Sequence, residues 1–178
     1  MTFILGRMAA RHRINKLDQG EVKIRRSESH AKLIVLLALA LAGCATVHDE
    51  ARLRSVAVEG APKAVGPYAQ GIVAGGFLYT AGELPLDPST GHLVSGDMGV
   101  QANRVLDNLE AILKGGGCSL HDVVKVTVFM TDLSDFAKLN DVMAARFGEH
   151  HPARTTVQVS KLPLGASLEM DAVASVGR

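Results

Sequence analysis

Aromatic side chains are scarce in this chain, 4% of 178 residues with no tryptophan. That leaves no stacking platform for single-stranded nucleic acid. Charge of one sign is lacking too. Nineteen Lys and Arg stand against eighteen Asp and Glu, and a net charge of +1 gives no electrostatic drive toward a phosphate backbone. Nucleic acid is therefore not an expected partner. The only cysteines, Cys44 and Cys118, form no CxxC pair and cannot build a zinc site by themselves. His150 and His151 are adjacent, so they diverge from either a helix or a strand and ligate poorly together. No metal site is expected. No apolar run reaches the roughly 20 residues that a bilayer-spanning helix needs.

What is present begins with a segment unlike the rest. Residues 1–32 are polar and basic without sustained periodicity, and Leu33 to Gly43 follows as an apolar run of eleven residues. Arg25, Arg26 and Lys32 precede it and small residues close it, which is the layout of a secretory signal. The closing stretch "LAGC", Leu41 to Cys44, resembles a bacterial lipobox. The resemblance implies cleavage before Cys44, lipidation of that residue and an extracytoplasmic protein held at a membrane by a lipid anchor. The bland alternatives are a buried apolar helix and a cytoplasmic protein. The expected organisation is an N-terminal extension and signal over 1–43, a tether over 44–58 and a folded domain over 59–178. In an oxidising compartment the unpaired Cys118 should be buried or shielded.

From about Ser55 the pattern becomes regular. "QGIVAGGFLYTAG" holds two β-rich runs joined by Gly75-Gly76, a strong hairpin signal. "MGVQANRVLDNLEAILKGGG" sets Val105, Leu106, Leu109, Ile112 and Leu113 on one helical face, with the glycines as its stop. A phosphate loop is excluded there, because the glycines follow a helix and no Lys-Ser/Thr accompanies them. "DVVKVTVFMTD" alternates as a strand. "LSDFAKLNDVMAARFGEHH" reads as a second helix with Ser134 as N-cap and an apolar stripe of Phe136, Leu139, Met143 and Phe147. Asn140 falls in that stripe, either as a buried amide bonded to backbone or as part of a cleft.

"ARTTVQVSKLPLGASLEMDAVASV" then gives two more strands. In the first, Arg154, Thr156, Gln158 and Ser160 share one face while Val157 and Val159 share the other. In the second, Glu169 and Asp171 alternate against Leu168, Met170, Ala172 and Ala174. The order strand, strand, helix, strand, helix, strand, strand predicts an α+β fold, a single mixed sheet with two helices on one face. The uncovered sheet face points to oligomerisation.

"GPYAQG" at 66–71, "TAGELP" at 80–85, "DNLEAIL" at 107–113, "VVKVTVFMTDLSDFAKLN" at 123–140, "PART" at 152–155 and "LEMDAVA" at 168–174 together resemble the Rid, or YjgF-type, family. The likeness spans about residues 60 to 176. It implies a homotrimer of the chorismate-mutase-like fold, with clefts between subunits. It also implies hydrolysis of reactive 2-imino acids and enamines, such as the imine of 2-aminoacrylate, to 2-keto acids and ammonia, without metal or organic cofactor. Carried over, the carboxylate-binding arginine is Arg154 and the acidic residue near the reacting water is Glu169. Tyr68, Gly82 and Asn140 fall on the family's cleft residues, and backbone near Gly82 and Thr156 is placed to polarise substrate.

That chemistry suits these residue types. A planar guanidinium grips a carboxylate with two parallel hydrogen bonds, which fixes the imine carbon for attack by water. A carboxylate then relays the proton. Three positions depart from the enzymatic pattern: Ala81 replaces a serine, Thr156 a cysteine and Glu83 a glutamine. A charge on Glu83 would oppose an anionic substrate unless the side chain points to solvent. The alternatives to a deaminase are a non-catalytic trimer that binds a small carboxylate and a holdase-like envelope protein.

Overall fold

The computed structural model describes residues 53–177. The expected signal segment, the lipidation of Cys44 and most of the expected tether lie outside the described residues.

Six strands form one sheet in the order β1-β2-β3-β6-β4-β5. β1 is Arg54–Val56, β2 Gly71–Ala74, β3 Phe77–Thr80, β4 Val123–Met130, β5 Ala153–Gln158 and β6 Leu168–Ser175. All neighbours run antiparallel except β4 and β5, which are parallel. The sheet is thus mixed, as expected. The β2–β3 hairpin turns at Gly75 and Gly76, whose φ values of 55° and 77° suit residues without a Cβ.

Two helices cover one face, α1 over Met98–Gly116 and α2 over Phe136–Phe147. Strand alternation decides which side chains meet them. Val126, Val128 and Met130 of β4 and Leu168, Met170, Ala172 and Ala174 of β6 are buried with Leu106, Leu109, Leu113, Leu139 and Met143 in one core. The intervening residues, Lys125, Thr127 and Phe129 on β4 and Glu169, Asp171 and Val173 on β6, line the opposite, open face. Phe77, Tyr79 and Val157 are exposed there or at its margin. Cys118 is buried, its thiol near the Ser175 carbonyl at 3.6 Å, and burial pushes that thiol up.

Three details differ from the sequence reading. Arg54–Val56, inside the stretch read as a tether, is an edge strand, tied further by Arg54 Nη2 donating to the Gly116 carbonyl at 3.0 Å. Ser134 is not the N-cap of α2. Asp132, two residues past the strand, accepts from the Ser134 amide at 2.8 Å and caps a short 3-10 turn that runs into the helix, the local bond that an Asp makes to the amide two residues on. Of the three glycines read as a helix stop, only Gly117 caps α1, at φ 88°. Gly115 and Gly116 lie inside the helix, where a Cβ would collide with Val58 and Leu78, so they allow close packing on the sheet.

Candidate active site

Arg154 leaves β5 on the helix-bearing face, as does its cross-strand neighbour Val126. β5 is an edge strand and α2 does not cover it, so the guanidinium stays exposed at the margin. Two neutral groups of α2 hold it. Its Nη2 donates to Asn140 Oδ1 at 2.7 Å, and its carbon stands 5.3 Å from the centroid of the Phe136 ring. Phe136 and Asn140 are four residues apart and share one helix face. Among the described residues no carboxylate lies within ion-pair distance of Arg154. A groove of about 300 Å³ runs beside it, floored by Met143, Ala144 and Phe147. Thr156 lies on the same strand face, and its Oγ1 is buried without a partner among the described residues.

Glu169 belongs to the other face. It lines a cavity of about 560 Å³ with Tyr68, Tyr79, Ala81, Gly82 and Leu84. Tyr68 stands half-exposed on the loop before β2, its phenol oxygen accepting from the Val65 amide at 3.2 Å. Gly82 lets the Glu169 carboxylate lie against the backbone, since a Cβ there would collide with its oxygen. Partial burial, then the neighbouring Asp171 charge, holds the Glu169 carboxyl above the usual carboxylate range. That makes it a better base than a free glutamate. Glu83 does not point to solvent. It is 6% exposed, and burial pushes its carboxyl up to about 8, with the Glu169 charge adding to the effect.

The expected residues therefore gather as two groups. Arg154, Asn140 and Thr156 stand at one edge of the sheet on the helix side, and Tyr68, Gly82 and Glu169 surround a cavity on the open side. Within one chain the groups do not meet. Glu169 is level with Phe129 of β4, which is level with Val157 of β5. Two strand spacings and three residue rises then put the Arg154 and Glu169 Cα atoms about 14 Å apart, on opposite faces. Phe136 was read as part of the apolar stripe, without a site role of its own. Its signal was its place at the exposed end of the apolar stripe, one turn before Asn140.

Comparison with known proteins bears on this arrangement. Residues 58–176 match the family model described as Endoribonuclease L-PSP. A RutC family protein of Pyrococcus horikoshii is 53% identical over 116 residues, 65% of this chain and 92% of that protein. The 2-iminobutanoate/2-iminopropanoate deaminase of Escherichia coli K12 is 43% identical over 124 residues, 68% of this chain and 96% of that one. The crystal structure of E. coli TdcF with bound serine superposes with a TM-score of 0.67 at 40% identity, covering 70% of this chain and 99% of that one. The chain belongs to the Rid family, also called YjgF or RutC.

Proposed function

We propose that the protein is a deaminase that hydrolyses 2-imino acids to 2-keto acids and ammonia, working as a homotrimer whose clefts join the Arg154 group of one copy to the Glu169 group of the next. The observation that carries this reading is Arg154: a guanidinium oriented by neutral partners, with no described carboxylate to neutralise it. Such a group is ready for an anionic ligand. Similarity to the E. coli deaminase supports the reaction class, and the serine in TdcF, itself an amino acid with a carboxylate, supports the ligand class. The trimer is supported by the open sheet face and by the two groups lying on opposite faces. The family model's description names a nuclease, but a net charge of +1 offers little hold on a polyanion.

In this reading the substrate carboxylate sits on Arg154. The reacting form is the protonated imine: Glu169 takes a proton from water as the water oxygen bonds to C2 and the C=N π pair moves onto the positively charged nitrogen, which becomes a neutral amine. The nitrogen of the resulting carbinolamine then receives that proton. The C–N bond breaks with its electron pair leaving on ammonia, the C=O forms, and the hydroxyl proton passes back through Glu169 to solvent. Imines hydrolyse readily without help, so positioning and one proton relay suffice.

The test is to generate 2-iminobutyrate in situ with a dehydratase and follow keto-acid release against the spontaneous rate, using the full chain and Arg154→Ala. Acceleration that falls at least tenfold in the variant supports the deaminase. A folded oligomer that gives no acceleration would leave the non-catalytic carboxylate-binding alternative standing in its place.

A further inference from the structure

The groove beside Arg154 has a direction. Asn140, Met143, Ala144 and Phe147 line it from one face of α2, because residues spaced by three, four and seven share a helix face. Asn140 holds Arg154 at one end. His150 marks the other, its Nε2 donating to the Val123 carbonyl at 2.6 Å and its ring centroid 6.2 Å from that of Phe147. Arg154 is level with Val126, three residues along β4 from Val123. Seven helical residues and three strand residues agree on a length of about 10 Å. Along that length the groove meets the side chains of Met143, Ala144 and Phe147, with Pro152 in the wall. Met143 and Phe147 belong to the buried core, which fixes the floor. Ala144 is exposed and so short that it leaves the groove open. The deaminase chemistry uses none of these four residues.

We infer that this groove receives the substrate's side chain, and that the protein prefers 2-imino acids whose side chain is apolar and longer than ethyl. This rests on the deaminase reading. With the carboxylate on Arg154, C2 lies one bond farther out and stays open to the water that Glu169 activates. The side chain leaves C2 in a third direction. Beside Arg154 the surface that gains from being covered is the floor of Met143, Ala144 and Phe147, and a hydrocarbon chain laid on it leaves water too. A charged grip at one end of an apolar bed selects a carboxylate with a hydrocarbon tail. A methyl or ethyl side chain leaves most of that bed unfilled and forgoes its contacts.

The experiment measures, by calorimetry on the full chain, Kd for 2-oxobutyrate, 2-oxopentanoate and 2-oxohexanoate. These stable keto acids share the carboxylate and differ only by methylenes. Each methylene buried in the groove should tighten binding about threefold to fourfold, so Kd should fall about tenfold across the series. In Ala144→Trp, whose indole fills the groove from an exposed position, the series should become flat. Ala144→Leu, a smaller filler that should flatten it in part, serves if the tryptophan chain does not fold. A flat series in wild type overturns the assignment. A slope that survives in the filled variants overturns it too, since the side chain then lies elsewhere, as in the cavity of Tyr68 and Glu169. Binding needs no turnover, so the two readings fail separately. A slope abolished by Ala144→Trp in a chain without deaminase activity refutes the reaction and keeps the groove, whereas a flat series in an active chain refutes the groove alone.

Discussion

Arg154 is held from two sides by groups that do not compete for its charge, the Asn140 amide oxygen and the Phe136 ring. The amide fixes the guanidinium plane, and a hydrogen bond to a charged group contributes about 1.5–3 kcal/mol. Truncation in Asn140→Ala should therefore raise KM about tenfold or more with a smaller change in kcat, as seen in initial-rate kinetics. Asn140→Asp keeps the shape but places a carboxylate on the guanidinium, so its KM should rise further still. Equal KM values in wild type and Asn140→Ala would sink this account of how Arg154 is held. Most of this was legible in the sequence. Arg154 announced itself as a cation opening a polar row, and motif resemblance named Asn140. The surroundings of Phe136 and Glu83 were not legible, because periodicity gives a residue's face and not its neighbour across a strand. Phe136 continued an apolar stripe that the pattern alone could not assign to core or cleft. Glu83 could be read either as a charge added to the site or as a solvent-facing side chain, and the bridge to Met170 with the surrounding Pro62, Leu84 and Pro163 buries it.

Among the elements, α2 matters most, since it carries both groups that orient Arg154. Its own seat on α1 depends on Arg146, which is 19% exposed and meets Asp107 Oδ1 at 2.8 Å, Glu110 Oε2 at 3.1 Å and the Asn103 carbonyl at 3.2 Å. An arginine with several acceptors in a half-buried seam is worth more than an exposed pair. Arg146→Met should cost about 1–3 kcal/mol and lower the thermal midpoint by several degrees. Lysine should restore only part, as it offers one point charge where the fork spans acceptors on three residues of α1. A midpoint unchanged in Arg146→Met would show that Leu139, Met143 and Phe147 seat the helix unaided. Elements with a strong internal rhythm were the readable ones: the β2–β3 hairpin, α1, and the alternation of β4 and β6. β1 was not readable, because three residues reading Arg-Ser-Val carry no rhythm and owe their conformation to β2 and the end of α1. Gly115 and Gly116 signalled a stop by composition, whereas what selects them is the nearness of the sheet.

For the whole molecule, β5 carries the strongest argument. On this edge strand, which α2 leaves uncovered, Arg154 and Thr156 lie on the helix side while Thr155 and Val157 face the open side. Together with Phe77, Tyr79 and Phe129, Val157 makes that open face more apolar than a solvated sheet surface should be, as expected if copies of the chain cover it. Such packing also gives the distant Arg154 and Glu169 groups a way to meet. The expectation is specific enough to count. Arg154→Ala and Glu169→Gln chains, each with its own affinity tag, are co-expressed and purified through both tags, so that only mixed oligomers remain. In a cyclic trimer each cleft takes Arg154 from one copy and Glu169 from the next. Whether the composition is two to one or one to two, going round the ring gives a single junction at which an intact arginine faces an intact glutamate. Mixed trimers should thus recover about one third of wild-type activity, while either variant alone stays nearly inactive. If the mixed species are as inactive as the single variants, the site is not shared between copies, and Arg154 and Glu169 do not act on one substrate.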